Sequence, residues 1–281
     1  SIFQIDLAYK DKSKNYNTID LLSEKINKTD IILLPEMFNT SFVPSDISLA
    51  EKMDGPSIKW MKSLSKRKNA SVVATLMIEE NDQFYNRLVW VSKYGEIYTY
   101  DKCHLFSLAK EDYTLTKGTS KIIISENGWN ICPLICYDIR FPVFCRNQDD
   151  YDLLIFLSSW PEKRINAWDT LLKARAIENQ CYVMGVNRCG VDPSGNVYTG
   201  DSLGSGGSSD EDELEEVGGT QIGGYGFGGG LAASSASSNN YQTQTGLLSG
   251  DVDGAREELS ENVNRVPVSY THLTLPTIYS V

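Results

Sequence analysis

Histidine is almost missing from this chain, with two in 281 residues. The six cysteines, at positions 103, 132, 136, 145, 181 and 189, form no Cys-x-x-Cys pair. Zinc centres draw on those two residue types at close spacing, so no metal is expected, and no cofactor. Long apolar runs are missing as well. No stretch of 18 or more apolar residues occurs, which leaves no candidate membrane span. Ser1–Ile5 lacks the basic-then-apolar order of a signal peptide and reads as a strand. The absent initiator Met points to a processed or fragmentary N-terminus. Cysteines without a signal segment point to a reducing cytoplasm. Positive charge is scarce too: the net charge is −11. Phosphate binding needs a basic patch, so nucleic acid is not an expected partner.

The acidity is local. Residues 1–200 carry 24 Lys and Arg against 25 Asp and Glu, and residues 201–281 carry 2 against 12. The first part has the balance of an ordinary globular domain, placed at 1–203. From Gly204 to Gly246 the chain turns Gly/Ser-rich and acidic, without the apolar mass that offsets chain entropy, and disorder is expected there. Residues 247–281 hold a stretch that is strand-like and then helix-like. After it, residues 267–281 resemble a translated sequencing-adapter read, which gives His272 no functional weight.

Within 1–203 the apolar pattern alternates between strand and helix. Strands are expected at Ile2–Leu7, Ile31–Leu34, Ser71–Ile78, Asp152–Leu157 and Cys181–Val186. Hairpins are expected where Asn86–Val91 meets Glu96–Tyr100, and where Lys121–Ser125 meets Trp129–Ile135. Helices are expected at Asn15–Ile26, at Ser57–Lys68 with Ile58, Met61 and Leu64 facing inward, and at Arg164–Gln180 with Ala167, Leu171, Ala174 and Ile177 on one stripe. The order implies an α/β protein with helices outside a buried sheet.

Three residues follow strands, two of them apolar. Cys136 ends Leu134-Ile135-Cys136, and a thiol at a strand-to-turn junction is exposed to substrate and to backbone N–H donors. By itself such a Cys is more often a small core residue. Glu36 follows Leu33-Leu34-Pro35 and is either a general base or a helix-terminal acid. Lys102 is a cation that could steady an oxyanion or sit on the surface. His104 is the competing base and Glu111 a second carboxylate. Arg140, Arg164, Arg175 and Arg188 are available to bind an anionic substrate group or to form structural ion pairs. Trp160, Phe38 and Tyr137 could wall a pocket.

Four segments, Leu33–Phe38, Tyr100–Phe106, Leu134–Pro142 and Ala174–Asn187, together resemble the signatures of the nitrilase (carbon–nitrogen hydrolase) superfamily. The resemblance runs from about Ile2 to Ser202. Asn86-Arg87-Leu88, Asp101–Phe106 and Ser159-Trp160-Pro161 look most like the omega-amidase branch, with Cys103 standing where that branch usually has Arg. The resemblance implies a four-layer α-β-β-α sandwich, paired into homodimers, that hydrolyses the terminal amide of 2-oxoglutaramate or 2-oxosuccinamate. It implies Cys136 as nucleophile, Glu36 as base and Lys102 as oxyanion donor, with support from Glu111 and the Tyr137 backbone N–H. His104 then becomes structural. Trp160, Arg140 and Phe38 are the expected substrate contacts. The alternatives are another amidase of the superfamily (a carbamoylase or a deaminated-glutathione amidase), or an inactive fragment whose altered C-terminal region prevents proper folding.

Overall fold

The computed structural model describes residues 1–205, 220–221 and 269–272. Within them two sheets lie face to face, each covered by helix on its outer side. The first sheet is built from β1 (Ile2–Gln4), β2 (Ile31–Leu33), β3 (Ser71–Glu80), β4 (Gln83–Val91) and β5 (Ile97–Asp101). β1, β2 and β3 run parallel, and β3, β4 and β5 form an antiparallel meander. The second sheet has β6 (Ile124–Glu126), β7 (Trp129–Ile135), β8 (Leu153–Ser158) and β9 (Tyr182–Asn187). Its β7, β8 and β9 are parallel.

Alternation along a strand separates the layers, because successive side chains point to opposite faces. In β3, Val72 and Ala74 pack with Ile19 and Leu22 of α1 (Lys12–Ser23) and with Ile58, Met61 and Leu64 of α2 (Pro56–Lys68). Val73, between them in sequence, faces the other way, into a core shared with Leu88, Trp90, Ile131 and Leu134. A short helix, α3 (Pro142–Cys145), follows the β7 turn. On the far side, α4 (Ile165–Asn179) lies on β9. The result is a four-layer α-β-β-α sandwich. A two-stranded ribbon, β10 (Cys189–Val191) and β11 (Val197–Thr199), rises beside the sheets, and β12 (Leu203–Ser205) pairs with β9.

Several local expectations shift. The first helix begins at Lys12, three residues early, because Asp11 accepts the Lys14 N–H and caps it. β3 and β4 form a further hairpin beyond the two expected. Its two turn residues, Asn81 and Asp82, both have positive φ, the geometry of a tight two-residue loop. The buried stripe of α4 also differs. Trp168, Leu172, Arg175 and Ala176 face inward, while Ile177 is 68% exposed. The cause lies beneath the helix: a Cβ on Gly185 would come within 2.6 Å of Trp168 and Leu172. The missing side chain lets those two residues settle onto β9 and sets the helix's rotation. The segments assigned to 204–246 and 247–281 lie almost wholly outside the described residues. From them, β13 (Thr220–Gln221) and β14 (Ser269–His272) extend the first sheet beyond β1, with Thr271 opposite Ile2. Among the described residues, no helix is long and apolar enough to cross a membrane, and no group of three or more His, Cys, Asp or Glu could hold a metal.

Candidate active site

The parallel strands β2, β7 and β8 end at one rim, where open α/β sheets place their ligands. Glu36 stands three residues beyond β2. Its N–H meets the carbonyl of Ser158 at 3.4 Å, and the Ser159 hydroxyl donates back to its carbonyl at 3.2 Å. These bonds stitch the end of β2 in one sheet to the end of β8 in the other. Lys102 follows β5, its N–H held by the Asn86 carbonyl at 3.0 Å. Cys136 follows β7 and opens a tight turn, Cys136–Arg140, with φ of 43°. That left-handed geometry costs a non-glycine residue about 1–3 kcal/mol and recurs at functional turns.

The side chains converge. Glu36, Lys102 and Glu111 are fully buried. The Lys102 Nζ lies 2.8 Å from Glu36 Oε1 and 2.9 Å from Glu111 Oε2. Glu36 Oε2 accepts the Ser159 N–H at 3.0 Å, and Glu111 accepts the Phe106 N–H at 2.7 Å. Burial alone would depress the Lys102 ammonium, but the charges of Glu111, Glu36 and Cys136 hold it above the ordinary lysine range. Burial pushes the Glu111 carboxyl up; Lys102 opposes this and Glu36 adds to it. The Cys136 thiol is pushed far above its ordinary value, first by burial and then by the charge of Glu36, with Lys102 and the Ser159 N–H opposing. A thiol in that state is neutral at rest and needs a base in order to attack.

His104 does not face this cluster. Its ring bonds Asp138 at 2.7 Å and stacks on Phe141 at 3.7 Å. Asp138 also accepts the Ile135 N–H at 3.0 Å and the Tyr100 hydroxyl at 2.7 Å. The network ties the segment carrying Lys102 to the turn carrying Cys136.

The cluster floors a cleft of about 280 Å³. Tyr137, Trp160, Arg140 and Arg164, all four candidates in the sequence, line it. Arg140 lies over the Trp160 ring at 4.9 Å and Arg164 over Phe106 at 5.1 Å. Among the described residues neither arginine pairs with a carboxylate. Arg175 and Arg188 go elsewhere. The first bonds the Ile139 carbonyl and Glu178, and the second bonds Asp6 and Ser41. Phe38 is a correction. It is buried in the outer core, 5.3 Å from Trp60, because Met37 takes φ of 48° and turns the chain away from the rim. Phe42 lines the cleft instead. Sequence reasoning also missed Asn86, which bonds both carboxylates at 2.9 Å, and the loop between β10 and β11, whose Asp192 and Asn196 line the cleft. The signal available for the first was the Asn86-Arg87-Leu88 motif of the family resemblance, which carried no role for Asn86; the loop offered none.

The family profile described as carbon–nitrogen hydrolase matches residues 1–206. The chain is 40% identical over 205 residues to the omega-amidase YafV of Yersinia enterocolitica, covering 72% of this chain and 79% of that one. It is 34% identical over 209 residues to the 2-oxoglutaramate amidase of Bacillus subtilis, covering 72% and 80%. A solved carbon–nitrogen hydrolase superfamily protein of Xanthomonas campestris, which carries an arsenic adduct in its active site, is 37% identical with a TM-score of 0.71, covering 72% of this chain and 80% of that one. With the sandwich, the rim and the buried cluster already in place, the chain belongs to the carbon–nitrogen hydrolase family.

Proposed function

We propose that the protein is a thiol amidohydrolase that releases ammonia from the terminal amide of 2-oxo dicarboxylic acid monoamides, 2-oxoglutaramate and 2-oxosuccinamate. One observation carries the reading. A buried Glu36–Lys102–Glu111 cluster lies against a neutral Cys136 thiol, at the foot of a cleft whose wall holds two arginines that pair with no carboxylate among the described residues. Glu36 takes the thiol proton as sulfur attacks the amide carbon. Lys102 and the Tyr137 backbone N–H hold the oxyanion, each contributing about 3–4 kcal/mol to the transition state. The protonated Glu36 gives its proton to the leaving ammonia, then draws one from the water that opens the thioester. Glu111 holds Lys102 in line. The far carboxylate of the substrate fits the guanidinium groups of Arg140 and Arg164, with Trp160 as the wall between. The relatives named omega-amidase and 2-oxoglutaramate amidase support this substrate class over carbamoyl compounds.

The test is ammonia release from 2-oxoglutaramate, compared with N-carbamoyl amino acids and with the Cys136→Ala variant. Turnover confined to the oxo-acid amide and lost in the variant is the expected outcome. Equal turnover in Cys136→Ala would remove Cys136 from the mechanism.

A further inference from the structure

Asn86, on β4, is fully buried between the two carboxylates. Its side-chain amide gives one hydrogen to Glu36 Oε1 and the other to Glu111 Oε1, each at 2.9 Å. Its own backbone carbonyl accepts the Lys102 N–H. One residue therefore touches all three members of the cluster. The amide oxygen, Oδ1, is buried and has no hydrogen-bond partner among the described residues. A buried carbonyl without a donor is costly. Turning the amide over would cost more, because it would press that oxygen against two carboxylates. The surrounding chemistry therefore fixes which way the amide points.

Two carboxylates here share one ammonium. Like charges at this range raise each other's proton affinity. A second cation would remove that repulsion, but it would also hold the thiol as a thiolate and weaken the base. An amide supplies two donors and no charge. The two oxygens of Glu36 are then unequal. Oε1 receives Lys102 Nζ and Asn86 Nδ2, which occupy both of its acceptor directions. Oε2 receives only the Ser159 N–H. That N–H also favours negative charge on the Cys136 sulfur, which places Oε2 on the thiol side.

We propose that Asn86 is a positioning residue: with Lys102 it fills Oε1 of Glu36, gives both carboxylates an uncharged donor beside a single ammonium, and so directs the thiol proton to Oε2. The inference rests on the roles given above to Cys136 and Glu36. In the step it describes, the S–H bond breaks and an O–H bond forms at Oε2. The sulfur electron pair makes the new bond to the amide carbon, and the carbonyl π pair moves to the oxyanion. The titratable groups facing Glu36 are Lys102 from the end of β5, Glu111 from its own turn, Cys136 from the β7 turn and Tyr198 from β11.

Asn86→Asp keeps the size of the side chain and replaces the donor with an acceptor. Two profiles are read against pH: kcat/KM for amide hydrolysis, and the rate of Cys136 alkylation by iodoacetamide followed by mass spectrometry of its peptide. Losing a donor to a carboxylate raises the carboxylate's proton affinity, so the acid limb of both profiles should move up by about one to two pH units. At neutral pH kcat should fall about tenfold or more while KM changes by less than about threefold. A general loss of packing would lower both profiles without moving their limbs. Acid limbs that stay within about 0.3 pH unit of wild type would overturn the proposal. Asn86→Ser, which keeps one donor, should show a smaller shift and carries the same test if circular dichroism finds Asn86→Asp unfolded. The alkylation profile needs no substrate, so it decides the role of Asn86 even where wild type proves inactive on every amide tried, an outcome that would count against the proposed reaction alone.

Discussion

Replacing Lys102 with methionine leaves two buried carboxylates facing each other with no cation between them. Each ion pair, at 2.8 and 2.9 Å, has roughly 6 kcal/mol of gross attraction at an effective dielectric near 20. Desolvation already offsets much of that. Removing one member of a buried pair typically leaves a net loss of about 3–5 kcal/mol, or a melting point lower by roughly 10 °C for a domain of this size. The loss carries a pH signature. The Glu111 carboxyl already sits above its ordinary range, pushed up by burial against the pull of Lys102, and without the ammonium it rises further. A carboxyl raised in the folded state keeps a proton that the unfolded chain has lost, so its contribution is full below the unfolded value. It fades as pH climbs through the folded value. Lys102→Met should therefore destabilise less at about pH 5 than at about pH 8. Urea melts at the two pH values measure this. A loss below about 1 kcal/mol, or one equal at both pH values, would refute the reasoning. Adding Glu111→Gln removes the repulsion, so the double variant should be more stable than the single at the higher pH.

Arg164→Ala and Arg140→Ala should each raise KM for 2-oxoglutaramate about 10- to 100-fold, the value of a hydrogen bond to a charged group, with little change for an uncharged amide of similar length. Equal losses on both substrates would take the arginines out of anion recognition. His104→Gln should keep kcat within about tenfold of wild type, because loss of a general base costs about a hundredfold or more. A larger fall, with the fold intact by circular dichroism, would return His104 to the chemistry.

Glu36 and Cys136 each end an apolar strand, but the joint role of Glu36, Lys102 and Cys136 was legible only through the resemblance of their segments to one family. The same runs gave an α/β protein with a buried sheet, and the four-layer sandwich came from the family resemblance. Other features depend on local geometry that an apolar pattern does not carry. Phe38 shares its segment with Glu36, yet one left-handed residue, Met37, sends it into the other core. Ile177 fits the helical rhythm of α4, but Trp168 and Leu172 find the gap over Gly185 and fix the helix on another face. Asn86 stood out in the sequence only as part of the Asn86-Arg87-Leu88 motif; its role shows once two carboxylates, 50 and 25 positions away in sequence, are seen to meet its amide.

The stitch between Ser158–Ser159 and Glu36 joins two sheets that share no ladder among the described residues. Glu36, Asn86 and Lys102 come from one sheet, and Cys136, Ser159 and Trp160 from the other. During refolding, a chain with either sheet formed alone would hold half of each pairing and turn over nothing. The return of hydrolysis would mark the moment the two sheets dock, and it would lag any far-ultraviolet signal from the strands themselves. Regained hydrolysis would thus report the docking of the two sheets, apart from the formation of either one.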